Sequence, residues 1–133
     1  MATWIEVLEH LRKQLTLAVD ETEWVGLNWK FASGAPGATD GMVVQRQRVE
    51  RARVTGEDAV MVLCDVAPVA RLPMEQMLAR NMTLGVGAIA ILDGGYVVRH
   101  LQPLAGLDLS KFERTLTYVA HEAARLRESA APL

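Results

Sequence analysis

The chain has 133 residues, of which half are hydrophobic, and a formal net charge of −2. This length suits a single domain, residues 1–133, whose core needs no metal or disulfide. The hydrophobic content excludes a disordered chain. The net charge gives no general attraction to nucleic acid or to anionic membranes, so neither is an expected partner.

The first predicted element is a helix of about four turns. It begins behind a capping-box pattern, Thr3 with Glu6. Apolar residues recur at helical spacing as far as Leu15, and Asp20–Thr22 is expected to end the helix. From Trp24 to Phe31 apolar residues alternate with polar residues and glycine, which predicts a strand with one covered face.

Two further strands are predicted after a glycine-rich loop. Met42–Thr55 is rich in valine and arginine, and its untidy alternation predicts a bulge near Gln47. Gly56–Asp58 is expected to form the turn that follows. Ala59–Ala67 is almost entirely apolar, which is typical of a central strand covered on both faces.

The second half predicts a short helix, a hairpin and a long helix. Pro73 suits the first position of the short helix. Gly85–Leu92 is the next predicted strand, Asp93–Gly95 is a hairpin turn, and Tyr96–Leu101 returns beside it. The final helix carries one apolar stripe over about five turns.

The start of that final helix has two candidate caps, Asp108 and Ser110. Ser110 with Glu113 repeats the capping-box spacing. The predicted order is therefore α-β-β-β-α-β-β-α. Because the strands are joined by connections too short for crossover helices, the expected fold is α+β, with a mainly antiparallel five-stranded sheet and helices packed on it.

Residues that could carry chemistry are few. The three histidines, His10, His100 and His121, have no partner at metal-ligand spacing and are expected to be solvated or capping side chains. Cys64 lies in an apolar run and is expected to be a buried, inert thiol. We therefore expect no enzyme activity, cofactor or metal. A pocket where Arg99, His100 and a carboxylate converge would revive an enzyme hypothesis.

Two clusters have competing interpretations. Arg46, Arg48, Arg51 and Arg53 are either on a solvated edge strand whose charges deter aggregation or a docking strip for an acidic peptide or nucleic acid. Met74, Met77 and Met82 are either core filler or an adaptable apolar surface at a subunit interface.

The segments that carry a family resemblance lie in the second half: Met77–Asn81, Gly87–Gly95, Val97–His100 and Pro103–Asp108, followed by the long helix. This pattern resembles the class I type III secretion chaperones and the related YbjN-like proteins. The motif-level likeness covers Pro73–Arg127, and the predicted element order fits the family along the whole chain.

The resemblance implies a non-enzymatic homodimer. In the chaperone branch it places the dimer interface on Met74, Met77 and Leu78 of the second helix and on Ala88, Ala90 and Leu92 of the adjoining strand. It implies apolar grooves that hold an unfolded segment of a partner protein. The partner-binding residues predicted on this basis are Trp4, Val7, Trp24 and Val44, with Arg46 and Arg48 added from the basic strand.

The YbjN-like branch implies instead a regulatory or small-ligand-binding domain of undefined role. The lone cysteine fits a reducing compartment. The N-terminus lacks the pattern of a signal peptide, and no apolar run reaches transmembrane length. The expected location is therefore the cytoplasm, without a membrane partner.

Overall fold

A computed structural model describes residues 3–29, 40–51 and 54–129. These residues form helices α1 (Trp4–Gln14), α2 (Met74–Arg80) and α3 (Leu109–Ser129). The strands are β1 (Val19–Asp20), β2 (Trp24–Trp29), β3 (Asp40–Arg51), β4 (Val54–Pro68), β5 (Ala88–Leu92) and β6 (Gly95–Pro103). Two 3₁₀ turns, Val69–Arg71 and Asn81–Thr83, flank α2.

The described strands form one sheet of six, in the order β1-β2-β3-β4-β6-β5. Every neighbouring pair is antiparallel. The predicted α+β class and antiparallel sheet are confirmed, but the sheet has one strand more than expected.

The additional strand, β1, comes from the segment that was expected to end the first helix. α1 stops at Gln14, because Leu15 is already extended. Val19 then pairs with Gly26 of β2. The Arg12 guanidinium holds the carboxylate of Asp20 beside the helix, with Nε 3.0 and 2.9 Å from its two oxygens.

The hairpin of β3 and β4 is longer than predicted. Gly56–Asp58 forms no turn but lies within β4, where Glu57 pairs with Val49. The register shifts between Val49 and Arg51, so the predicted irregularity exists but not at Gln47. Cross-strand pairing therefore overrides the local turn signal of this glycine and its acidic neighbours.

The second hairpin forms as predicted. Asp93 and Gly94 have φ of 49° and 77°, the left-handed values of a two-residue type I′ turn. β5 begins at Ala88 rather than Gly85, after Gly87 with φ of 77°. A Cβ atom at Gly87 would lie 2.8 Å from the carbonyl oxygen of Arg99, so only glycine fits there.

Asp108, not Ser110, caps α3. Its Oδ1 accepts from the backbone amides of Ser110 at 3.0 Å and Lys111 at 3.3 Å. These bonds, with that from the Ser110 hydroxyl, lower the pKa of the Asp108 carboxyl. The Ser110 capping box is therefore wrong, since this serine is already inside the helix.

The core joins all three helices to one face of the sheet, the covered face. The strands contribute Val25, Leu27, Met42, Val44, Val60, Val62, Cys64 and Val98, among others. The helices contribute Trp4, Val7, Leu8 and Leu11 from α1, Met77 from α2, and Phe112, Leu116, Val119, Ala123 and Leu126 from α3. β4 was expected to be covered on both faces. On its other face Ala59 is buried, but Met61 and Leu63 are only half-buried.

Candidate functional site

The face of the sheet that points away from the helices is largely apolar. Successive side chains of a strand point to opposite faces, so the neighbours of core residues define this open face. Its apolar residues are Val19, Trp24, Val43, Met61, Leu63, Ala90, Leu92, Val97 and Leu101. Val97 is only 3% exposed, yet it is not part of the core cluster, as expected for a residue on the far side.

Strand register places these side chains next to one another. Val43 pairs with Leu63, and Met61 pairs with Leu101, across three adjacent strands. All four of these side chains are half-buried. The centre of the open face is thus mainly apolar, with Gln45 beside Met61 and Arg99 beside Leu63, and none of the described helices covers it.

One end of the open face is formed by Trp24 and Val19. Trp24 is 37% exposed and Val19 is 39% exposed. A Cβ atom at Gly26 would lie 3.4 Å from Cβ of Val19 and 3.5 Å from the Trp24 ring, so both side chains lie over the bare backbone of this glycine. The absence of a side chain at Gly26 leaves room for both.

A second apolar surface, the α2–β5 edge, borders the open face. It consists of Met74, Leu78, Met82 and Ile91, which are 50%, 55%, 89% and 47% exposed. β5 is the last strand of the sheet on that side. Because Ile91 and Leu92 are consecutive on β5, the two surfaces meet there.

The backbone of β5 is only partly available for pairing. Leu92 of β5 and Gly95 of β6 flank the two-residue turn as its hydrogen-bonded pair, so the backbone groups of Ile89 and Ile91 point away from β6. The side-chain Oδ1 of Asn81 accepts the outward N–H of Ile89 at 2.6 Å. Asn81 therefore occupies the outward N–H group at the Ile89 end of this edge strand. The outward backbone groups of Ile91 lie at the other end.

The six predicted dimer-interface residues fall into two groups. Met74, Leu78 and Leu92 carry large exposed apolar side chains, Ala88 is exposed and Ala90 is half-buried. Met77 is 1% exposed and packs in the core, so of the two interpretations of the methionines it takes the core one.

Among the predicted partner-binding residues, Trp24 is the exposed apolar one. Trp4, Val7 and Val44 lie in the core at 5%, 0% and 0% exposure. Trp4 also donates its indole N–H to the carbonyl oxygen of Thr22 at 2.8 Å. These three side chains face the covered side and present no surface to a partner in the folded chain.

The arginines of β3 do not form a free basic strip in the described part of the chain. Arg46 is exposed, but its guanidinium lies 2.9 Å from the carboxylate of Asp58 on β4 and 3.9 Å from Glu23. The bond to Asp58 is the main cause of its raised pKa. The side chains of Arg48 and Arg51, and the whole of Arg53, lie outside the described residues. Arg46 is solvated, but β3 lies between β2 and β4, so the expected edge strand is wrong.

Cys64 lies on the covered face of β4, and His100 lies on the same face of the neighbouring strand β6. Cys64 is fully buried, and burial raises the pKa of its thiol to about 12, so it is protonated at neutral pH. Arg99 and His100 are consecutive on β6 and point to opposite faces. Among the described residues no group of three or more His, Cys, Asp or Glu side chains is placed to hold a metal ion.

The side chain of His10 lies between two helices. Its Nε2 is buried without a hydrogen bond and is 3.9 Å from a carboxylate oxygen of Glu113 on α3. The sequence suggested that His10 is solvated or caps a helix. Its buried Nε2 is instead part of the α1–α3 contact.

An open depression of about 620 Å³ lies where α3 meets the end of β4. Asp65, Asp93 and Arg127 contribute its charged groups. The Arg127 guanidinium donates to the backbone carbonyls of Asp65 and Val66, the latter at 3.0 Å. This arginine thus anchors α3 to the sheet, and burial lowers its pKa.

Sequence reasoning missed most of the open face. Val43, Met61, Leu63 and Leu101 were assigned no binding role, although the nearly continuous apolar run of β4 signals two apolar faces. The number of helices held a further signal. Three helices cover one face of a six-stranded sheet. The second apolar face is then available for contact with another molecule.

The fold is similar to that of chains in two solved complexes. One is the crystal structure of the ExsC–ExsE complex, with a TM-score of 0.64, 18% identity and 96% of each chain covered. The other is the HopA1–SchA chaperone–effector complex, with a TM-score of 0.61, 13% identity, and 92% of this chain and 90% of that chain covered. No family model and no curated protein match the sequence.

At these identities the likeness shows a shared fold. It supports the chaperone-like fold that the resemblance in the second half implied, and it does not bear on the YbjN-like branch. Within the described ranges, no helix combines the length and the hydropathy that crossing a bilayer requires.

Proposed function

We propose that this chain is a non-enzymatic, chaperone-like binding module of the cytoplasm that holds an extended segment of a partner polypeptide on its open face. It pairs with a second copy of itself through the α2–β5 edge. The observation that carries the proposal is the mainly apolar surface on the sheet face opposite the helices.

The geometry of the open face suits an extended segment. Side chains of an extended chain alternate with the same period as the strands beneath, so every second one can enter the spaces between Val43, Leu63 and Leu101. The flexible side chain of Met61 can adapt to different partner side chains. The Trp24 ring offers a planar aromatic surface. Surfaces of this kind on a monomer commonly mark interaction sites.

The α2–β5 edge suits an isologous contact. It combines a short helix with a strand end whose Ile91 is exposed and directs its backbone outward, so the same patch from two copies can meet across a two-fold axis. Asn81 shields the other end of β5 from pairing. We therefore expect side chains of α2 to provide most of the contact, with strand pairing limited to the region of Ile91.

Two observations favour binding over catalysis. The buried Cys64 thiol is protonated and inaccessible, and Arg99 and His100 diverge. The fold shared with a chain from a solved chaperone–effector complex supports the same interpretation.

The dimer is tested by sedimentation at micromolar concentration. The wild-type chain should sediment as a dimer, and Leu78→Glu should give monomers because it places two carboxylates in the apolar contact. Ile5→Glu is the matched control, since Ile5 is 65% exposed on α1 and lies outside the edge. A monomeric wild type, or equal dissociation by both variants, contradicts the dimer.

The binding role is tested with a permanently unfolded, carboxymethylated polypeptide as the probe. Fluorescence anisotropy should show binding by the wild type and by Ile5→Glu. Leu63→Gln, in the centre of the open face, should weaken binding by about tenfold, equal to the loss of one well-packed apolar contact. Thermal unfolding of each variant checks that the fold persists. Equal affinity of Leu63→Gln and the wild type rules out the open face.

A further inference from the structure

Arg99 is the one cation among the described residues of the open face. Arg99 is exposed on β6 and pairs with Leu63 on one side and Ala88 on the other. Its diagonal neighbours on β4 are Met61 and Asp65, two residues either side of Leu63. A guanidinium is therefore held among mainly apolar side chains.

The contact that Arg99 makes is a weak one. Its Nε donates to the thioether sulfur of Met61 at 3.2 Å, and a thioether is a poor acceptor. The guanidinium is turned toward Met61 rather than toward Asp65, and it forms no ion pair with any other described residue. Its planar array of donors is consequently unmatched.

An unmatched guanidinium in an apolar setting favours a carboxylate. A carboxylate accepts two parallel hydrogen bonds from arginine, and surrounding apolar side chains strengthen this contact by excluding water. Arg99, the one cation among the described residues of this face, does not match the repeating phosphates of a nucleic acid, which are bound by several lysines and arginines.

We infer that the segment bound on the open face is apolar and alternating, and that it carries one Asp or Glu side chain that pairs with Arg99. This inference rests on the proposed function and specifies the chemistry of the partner. Arg99 sets which segments bind, while the apolar residues around it provide most of the affinity.

The test begins with selection of extended peptides from a random library on the wild-type chain. The best peptide is then synthesised in two forms, with its acidic residue intact or replaced by the corresponding amide. The wild type should prefer the acidic form about tenfold, the value typical of a charged hydrogen-bonded pair.

Two variants assign that preference. Arg99→Gln should bind both peptide forms equally, because it removes the charge from an exposed position that the fold does not need. Arg114→Gln is the matched control on the exposed side of α3 and should keep the wild-type preference. Asp65→Asn should increase the preference, because it removes a nearby negative charge that repels the carboxylate of the peptide.

The outcomes separate this inference from the proposed function. Selected peptides without an acidic residue, or an unchanged preference in Arg99→Gln, overturn the role of Arg99 while leaving the binding function in place. Failure to select any peptide that competes with the unfolded probe contradicts the proposed function and this inference together.

Discussion

Cys64 and Leu63 are consecutive residues of β4, yet they lie in opposite surroundings. Cys64 points into the core under the helices and is fully buried, whereas Leu63 points to the open face and is half-buried. The same contrast extends across the sheet, from Val44 beside Val43 to Val98 beside Arg99. One sheet thus has one face that forms the core and another, also apolar, that does not.

This difference separates two uses of apolar residues. On the covered face they hold the chain together, because helices remove them from water when the chain folds. On the open face the apolar side chains are only partly buried, and their remaining surface is available to a partner. The comparison therefore predicts that substitutions on the two faces affect different measurements.

The largest expected contrast is in thiol reactivity. Cys64 should react with iodoacetamide about a thousandfold or more slowly than an exposed thiol, because labelling requires the fold to open. In a Cys64→Ser background, Leu63→Cys should react within about tenfold of a free thiol. Rates are followed by mass spectrometry, and similar rates at the two positions contradict the assignment of the faces.

The same thiol gives a pH dependence. The unfolded chain ionises Cys64 near its ordinary value of 9.0, and burial raises the folded pKa to about 12. Its contribution to stability is therefore complete below about pH 9 and is lost as pH rises toward 12. The Cys64→Ser chain should lack this loss when urea unfolding is measured at several pH values.

The next contrast is in stability. Leu116→Ala, on the fully buried face of α3, should lower the free energy of unfolding by about 3–5 kcal/mol through lost burial and a cavity. Leu101→Ala, on the open face, should cost only about 1 kcal/mol, because this leucine is half-buried. Urea unfolding of both variants gives the values, and equal losses contradict the comparison.

The smallest contrast concerns how α3 is held on the covered face. Arg127→Ala removes hydrogen bonds to backbone carbonyls of Asp65 and Val66 and should cost about 2 kcal/mol. Arg125→Ala is the control, because the ion pair of Arg125 with Glu122 is exposed and contributes less than about 1 kcal/mol. An equal effect of the two changes would show that Arg127 does not anchor the helix.

Much of the fold follows from local patterns. Helical spacing with Thr3 at the start locates α1, and the Asp93–Gly94 turn locates the second hairpin, because both depend on interactions between residues close in sequence. The predictions were wrong where pairing between strands decided the structure. Val19 pairs with Gly26 after the end of α1, and Glu57 pairs with Val49 in place of a turn.

The candidate site was less predictable. The resemblance of the second half to secretion chaperones places Met74, Leu78 and Leu92 at a dimer interface, and these residues are exposed. Trp4, Val7 and Val44 were predicted to bind a partner but lie in the core. Alternation places a side chain on one face or the other, but it does not distinguish the face that receives the helices.

The sequence by itself determined that this chain forms helices and antiparallel strands with more apolar surface than one layer of helices covers. Spacing along the chain encodes this, since each element's period is a local property. The tertiary structure decided that α1, α2 and α3 share one face, which leaves Val43, Met61 and Leu63 on the other beside Arg99. That choice depends on where the connections carry each helix, a property of the whole fold.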